Sequence, residues 1–365
     1  MKRNPVPGVF HLLMVAALAG CGSSAEDSSP MSSPVTSGTF AFVNNRDVDS
    51  ISVFRVDAAT GRLSATSAVS TGACLAPRYS EMYSTGRVLF VSCATSNTVA
   101  SFSVDPNTGD LKMIGSPVAS GTSPGYPEVH PNGKFLYLSN TGSNSLSAYS
   151  IAPDGTLSEI AGSPFPTGTT PYWVKTNDAG TFLYVTNRDS NNVSAFQVDA
   201  TTGGLTEIAG SPFAAGLGAR AIELSGPFAF VANRFANNVS VFRVDATTGA
   251  LSEVAGSPFA SGTDPISETV DPSGRHLYVA NQVSNDVTAY VIDGSTGALT
   301  QIAGSPFPTG TAPLGIKIDG TGKFMYVTNT GSNSVSVYSV DGATGGLQPL
   351  QTANTPGSAF AIDLL

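Results

Sequence analysis

Beyond residue 39 the chain alternates hydrophobic and small polar residues in short bursts. In residues 184–186 and 193–198, aromatic and β-branched residues take turns with Ser, Thr, Ala and Asn, the period-two pattern of half-buried strands, and no stretch carries a helical period. The bursts belong to a longer repeat. Residues 184–213 read YVTNRDSNNVSAFQVDATTGGLTEIAGSPF, and near-copies run from the first such burst to the C-terminus. Asn187 has counterparts at Asn45, Cys93, Asn140, Asn233, Asn281 and Asn329, with successive spacings of 48, 47, 47, 46, 48 and 48 residues. A fixed period of this length marks a solenoid or a propeller.

Strand content decides between the two. Each copy holds a first strand, as from Pro171, closed by a turn such as NDAG, HPNG, DPSG or DGTG. A second strand ends at the Asn and a third at Asp199. A hairpin of the form DATTGGL then leads to a fourth strand, Leu205 to Phe213. Gly203 and Gly204 supply positive φ in that hairpin and Asp199 can bond the turn backbone, as can Asp57, Asp105, Asp245, Asp293 and Asp341 in the related turns. Seven four-stranded repeats predict an all-β fold, a seven-bladed propeller of antiparallel blades spanning residues 39–365. The first copy lacks its first strand, while SAFAIDLL at the C-terminus is a first strand with nothing after it. The two ends are expected to complete one blade and close the ring.

The beginning of the chain has a different pattern. Lys2 and Arg3 precede an apolar run, residues 9–19, that ends in Leu18-Ala19-Gly20-Cys21, which resembles a bacterial lipoprotein signal peptide. That resemblance implies cleavage before Cys21, lipidation of Cys21, and a membrane-anchored product in the cell envelope, at the outer membrane or periplasmic face of a Gram-negative host. Residues 22–38 are Ser- and Pro-rich with almost no large apolar side chain and read as a flexible tether. Loss of residues 1–20 would leave 15 basic against 26 acidic residues, a net charge of −11. Such a balance disfavours nucleic-acid binding. A monomer without cofactor or metal is expected, since the recurring Asp residues of the turns lack the ligand density of a calcium loop. Two further cysteines, Cys74 and Cys93, fall at strand ends that share one rim, and in an oxidising compartment they predict a disulfide.

Candidate chemistry lies where the copies differ. The repeated Asn is read as a structural residue bonding its own backbone. The middle of the first strand carries Glu81, Glu128, Lys175, Glu223, Thr269, Lys317 and Ala361 in successive copies, and this strand lines the channel of a propeller. Glu128, Lys175 and Glu223 are the candidate catalytic groups. Near the start of the first strands stand Arg78, Tyr126, Tyr172, Trp173 and Arg220, and the loops of the same rim add Arg46, Arg188 and Arg234. Aromatic rings beside guanidinium groups at a concave mouth suit a sugar, an acid or a phosphate. His11 lies in the apolar leader, and His130 and His276 fall on the opposite rim, so no Ser/His/Asp triad forms with the mouth.

The repeats YVTNRDSNNVSAFQVD, YVANQVSNDVTAYVID and YVTNTGSNSVSVYSVD, with DPSGRHLYVAN and the GSPF segments, resemble the lactonase-like seven-bladed propeller family, which includes a 6-phosphogluconolactonase type, and the related YVTN-repeat surface proteins. The resemblance covers nearly all of residues 39–365. The lactonase type tends to carry histidines before a PDG turn and Asp-Leu-Gly after the second strand, where this chain has SPGYPEVHPNG at Ser123 and SNTG at Ser139. The expected function is therefore an envelope-anchored module binding a small polar ligand or a protein partner at the arginine and aromatic mouth. The alternative is a lactone hydrolase working with the channel carboxylates.

Overall fold

The computed structural model describes Phe40–Leu365; the leader, Cys21 and the tether lie outside the described residues. Seven antiparallel sheets follow one another, each with its first strand innermost. Among the described residues the single helical element is a 3-10 turn at Arg46–Val48. Closure follows the expected route: the C-terminal strand Ala359–Leu364 pairs with Phe40–Asn45 and completes the four-stranded blade that holds the first described residue. Five of the inner strands begin with proline, at Pro77, Pro124, Pro171, Pro265 and Pro313. A residue without an N–H is tolerated there because the inner strand has a free edge.

The fourth strand departs from expectation. In the Leu205 repeat it is two pieces, Leu205–Glu207 and Phe213–Ala214, that pair with opposite ends of Asn192–Val198. Pro212 interrupts the ladder because it has no N–H to donate. Ser211 bridges the gap, accepting from the Ala195 N–H at 3.0 Å and donating to Glu207 at 2.8 Å. The two blades without a Gly-Ser-Pro segment have unbroken outer strands, Leu63–Ser70 and Leu347–Asn354, and the Gln351 side chain joins them through both backbone groups of Leu63 at 2.8 Å.

The repeated Asn is buried and does not bond its own backbone as expected. Asn140 Nδ2 donates to Ser145 at 3.1 Å and Ser147 at 2.9 Å on the paired third strand, and Oδ1 accepts from the Gly121 N–H at 3.1 Å. Asn329 repeats the pattern with Ser334, Ser336 and Gly310. A Cβ on Gly121 would lie 2.6 Å from the Asn140 side chain, so glycine is required opposite the asparagine. Cys93 stands at the Asn position and Cys74, 19 residues earlier, at the glycine position; the two are joined in a disulfide with Cα atoms 5.0 Å apart. One blade has thus exchanged a polar clamp for a covalent one. Blade-to-blade contact is fixed by tyrosines of the second strands: Tyr137 donates to the Gly203 carbonyl at 2.9 Å, Tyr184 to Gly249 at 2.8 Å, and Tyr326 to Gly61 at 3.0 Å across the closure. Gly61 has φ +69°, and a Cβ there would sit 2.3 Å from the Phe324 ring.

Candidate functional site

The inner strands bring the variable residues together in layers. Pairing to the second strands places Glu81, Glu128, Lys175, Glu223, Thr269 and Lys317 at one depth, opposite Phe90, Tyr137, Tyr184, Phe230, Tyr278 and Tyr326. The seventh member is Asp363, opposite Phe42, and not Ala361. Each inner strand has a register shift near its start and carries its layer residue four positions beyond that start. The closing strand starts at Ala359, two residues later than a count ending on Ala361 assumes, so its member is Asp363. The bulges are held from the preceding blade. Ser139 donates to the Tyr172 carbonyl at 2.7 Å, Thr186 to that of Arg220 at 2.6 Å, and Thr328 to that of Phe360 at 3.1 Å.

Two residues nearer the rim, the ring is lopsided. Three neighbouring blades contribute Tyr79, Tyr126 and Trp173, and the other four contribute Ala221, Ser267, Gly315 and Ala361. Tyr126 stacks on Trp173 with centroids 4.0 Å apart, and Tyr79 meets Tyr126, Tyr172, Trp173 and Phe360 at 5.3 to 6.1 Å. These rings are buried, so the expected open aromatic mouth is instead an aromatic plug. Large rings gain more by packing on one another than by lining water. The plug leaves space only beside the small residues, a cavity of about 40 Å³. That holds a few waters and no sugar.

On the rim side of the plug, Tyr172 is gripped by guanidinium groups. Its hydroxyl accepts from Arg78 and, at 3.3 Å, from Arg220, which also donates to the Tyr79 hydroxyl at 3.0 Å. The Arg78, Arg188 and Arg220 guanidinium carbons stand 5.0, 5.7 and 4.4 Å from the Tyr172 ring centroid. Burial pushes the Tyr172 phenol up, but Arg220 and Arg78 overcome it and hold the group down at about 7. Arg220 is 3% exposed, so its charge is little screened. Arg188 is engaged by Asp189 at 2.8 Å and Arg234 by Asp264, with one contact at 2.9 Å. Among the described residues no carboxylate lies within ion-pair reach of Arg46 or Arg78.

The charged layer below is mixed. Lys175 pairs with Glu223 at 3.3 Å; Lys317 reaches Asp363 at 3.6 Å and Glu81 at 3.8 Å. Glu128, expected as a partner of Lys175, accepts from the Thr176 N–H at 3.0 Å and hydroxyl at 2.7 Å. Burial raises Glu128 to about 7 against the pull of Lys175, and burial raises Asp363 to about 7 against that of Lys317. The sequence reading missed Glu268, which is buried where other blades carry Val174, Ile222, Ile316 and Ile362. Ser80 and Pro127 complete the column, in which Glu268 is the one carboxylate. His130 and His276 lie apart from all of this. His130 bonds the Gly180 carbonyl at 2.8 Å, and His276 bonds Asp271 at 3.0 Å, with Ser273 donating to that Asp at 2.7 Å and not to the histidine.

The seven-bladed lactonase propeller family model, described as "Lactonase, 7-bladed beta-propeller", matches residues 32–125, 120–216, 209–312 and 305–363, and the chain belongs to that family. Among solved structures it is similar to a candidate 6-phosphogluconolactonase from Bacteroides fragilis, with TM-score 0.80, 20% identity, and coverage of 92% of this chain and 100% of the other. It is also similar to the periplasmic gluconolactonase PpgL of Pseudomonas aeruginosa, with TM-score 0.74, 20% identity, and coverage of 89% and 98%. Hydrazine synthase of Kuenenia stuttgartiensis shares the fold at TM-score 0.60 and 19% identity over 78% of this chain and 88% of that one. At these identities the likeness is one of fold. No curated protein matches the chain.

Proposed function

We propose that the protein opens a sugar lactone bearing an anionic group, and that it does so at the arginine rim and not in the channel. The observation that carries this reading is the Tyr172 hydroxyl held between Arg78 and Arg220 at a pKa of about 7. A phenol so placed is partly phenolate at neutral pH, the condition for a general base, and because Tyr172 is 4% exposed, Arg78 and Arg188 must part when a substrate docks on the rim. The phenolate takes a proton from water as the water oxygen attacks the ester carbonyl carbon. The guanidinium groups of Arg78 and Arg188 stabilise the oxyanion that develops. Collapse breaks the ring C–O bond, the leaving alkoxide recovers the proton from Tyr172, and a hydroxy acid is released. Arg46 and the unpaired charge of Arg78 suit a phosphate or carboxylate on the substrate. Membership of a lactonase family and the names of the two propellers above agree with this chemistry.

The test is acid release from 6-phosphogluconolactone and gluconolactone, corrected for spontaneous opening. The expected rate rises through about pH 7 in the wild type, falls by roughly 100-fold or more in Tyr172→Phe, and loses that pH inflection. Opening no faster than the spontaneous reaction would refute the proposal and leave an envelope binding module, for which the rim closed around Tyr172 would serve as a recognition surface.

A further inference from the structure

The cavity beside the aromatic plug presents side-chain oxygens with no closed hydrogen bond, although the backbone N–H groups of Ala232 and Glu223 favour the charged form of the Glu268 carboxylate. Ser267 Oγ, Glu268 Oε1 and Glu268 Oε2 are all buried without a hydrogen-bond partner, and Ser267 and Glu268 both line the cavity. Glu268 is 3% exposed. A carboxylate in that position forfeits its hydration and, left alone, carries a heavy penalty. Lysine does not relieve it. Lys175 is committed to Glu223 and Lys317 to Glu81 and Asp363, so among the described residues the two ammonium groups answer other carboxylates. Five carboxyls, Glu81, Glu128, Glu223, Glu268 and Asp363, face two ammonium groups, Lys175 and Lys317; burial keeps Glu128 and Asp363 protonated up to about pH 7, and above that pH this part of the channel lacks positive charge.

We propose that the cavity is a binding site for a small monovalent metal cation, sodium or potassium, coordinated by Glu268 and Ser267 beside Glu223. Oxygen donors are the ligands of hard cations. The volume of about 40 Å³ admits an ion with a water or two and excludes an organic cation. The two groups placed as ligands, one carboxylate and one hydroxyl, carry a single negative charge between them, which matches a singly charged ion. Gly315 and Ala361 help make the room: a Cβ on Gly315 would come 3.0 Å from Thr328 Oγ1 and 3.1 Å from the Phe360 carbonyl. The site stands apart from the rim chemistry at Tyr172 and holds whether or not a lactone is opened there. Protons compete for the same carboxylate, since burial and Glu223 both hold Glu268 well above the usual range. The other titratable groups on the cavity wall are Lys317, Tyr79 and Tyr126, besides Glu223.

The experiment is thermal unfolding of the full propeller at pH 8 in sodium or potassium chloride against N-methylglucamine chloride at equal ionic strength, for the wild type and Glu268→Gln. The expected result is a saturable rise in Tm with either small cation that shrinks at pH 5 and is absent in the variant. Crystals soaked in rubidium chloride are expected to show an anomalous peak within coordination distance of Glu268 in the wild type only. A Tm shift of equal size in both proteins, or a cavity that holds water alone with no rubidium peak, overturns the proposal.

Discussion

Two buried polar positions one strand apart behave in opposite ways. At the rim end of the second strand, Asn140, Asn187 and Asn329 occupy one place in their blades and donate twice to the next strand; Asn140 and Asn329 also accept from a glycine N–H, while Oδ1 of Asn45, Asn187 and Asn233 has no partner. On the inner strand the residue changes from blade to blade, and several side chains have no partner: both oxygens of Glu268, Oδ2 of Asp363, and the Nε atoms of Arg78 and Arg220. A satisfied buried group lowers the energy of the fold, whereas an orphaned one raises it. The Asn position offsets an orphaned Oδ1 with two donated bonds in every blade that has one, whereas Glu268 makes no side-chain hydrogen bond at all, so stability is not what it supplies. The comparison separates frame from site without reference to any relative.

The separation predicts the sign of mutations. Asn140→Ala should lower unfolding free energy by about 3 kcal/mol in urea titration, because it strands two hydroxyls and the Gly121 N–H, and Asn329→Ala should do nearly the same. The blade with the covalent clamp sharpens the point. Cys74→Ala with Cys93→Ala should cost about 3 kcal/mol, close to what closing a loop of this length contributes. Cys74→Gly with Cys93→Asn, which restores the pair used elsewhere in the ring, should recover at least half of that loss. If it recovers nothing, the clamp positions are not equivalent.

Inner-layer substitutions should run the other way. Glu268→Ile, the residue used at Ile222, Ile316 and Ile362, should raise stability by about 2 kcal/mol at pH 8 in N-methylglucamine chloride. The sign with pH follows from the raised carboxyls. Glu128 and Asp363 hold their protons up to about pH 7 when folded but release them near pH 4 when unfolded. Their contribution is therefore full below about pH 4 and is lost as pH rises towards 7, where it levels off. The urea midpoint of the wild type should fall across that window, and Glu128→Gln with Asp363→Asn should flatten the decline.

Much of the frame was legible because every blade must solve the same problem and the solution recurs at a fixed period. Strand number, ring closure and the Cys74–Cys93 neighbourhood all follow from that recurrence. The fourth strand was misjudged because the sequence reads as one run, Leu205 to Phe213, through Pro212, which interrupts the ladder and leaves a short strand beyond it. The inner layers were legible in composition and not in packing. Arg78, Tyr172 and Arg220 were singled out correctly as neighbours, yet their burial depends on Tyr79 and Phe360 filling the space beneath them, and side chains from distant repeats set that packing. Counting lands on Ala361 in place of Asp363 because the last strand has no proline to mark its start, as five of the others do, and its start at Ala359 is then set two residues too early. Glu268 escaped notice because only pairing to Val279 shows which column it occupies.

The central claim is that chemistry sits at the rim around Tyr172 while the channel carboxylates do not act on substrate. Rates of 6-phosphogluconolactone opening at pH 7.5, compared among the wild type, Tyr172→Phe and the double variant Glu128→Gln with Glu223→Gln, test it directly. The account predicts loss of activity in Tyr172→Phe and a rate within about threefold of wild type in the channel double variant. Activity that survives Tyr172→Phe and vanishes in the channel variant would contradict it.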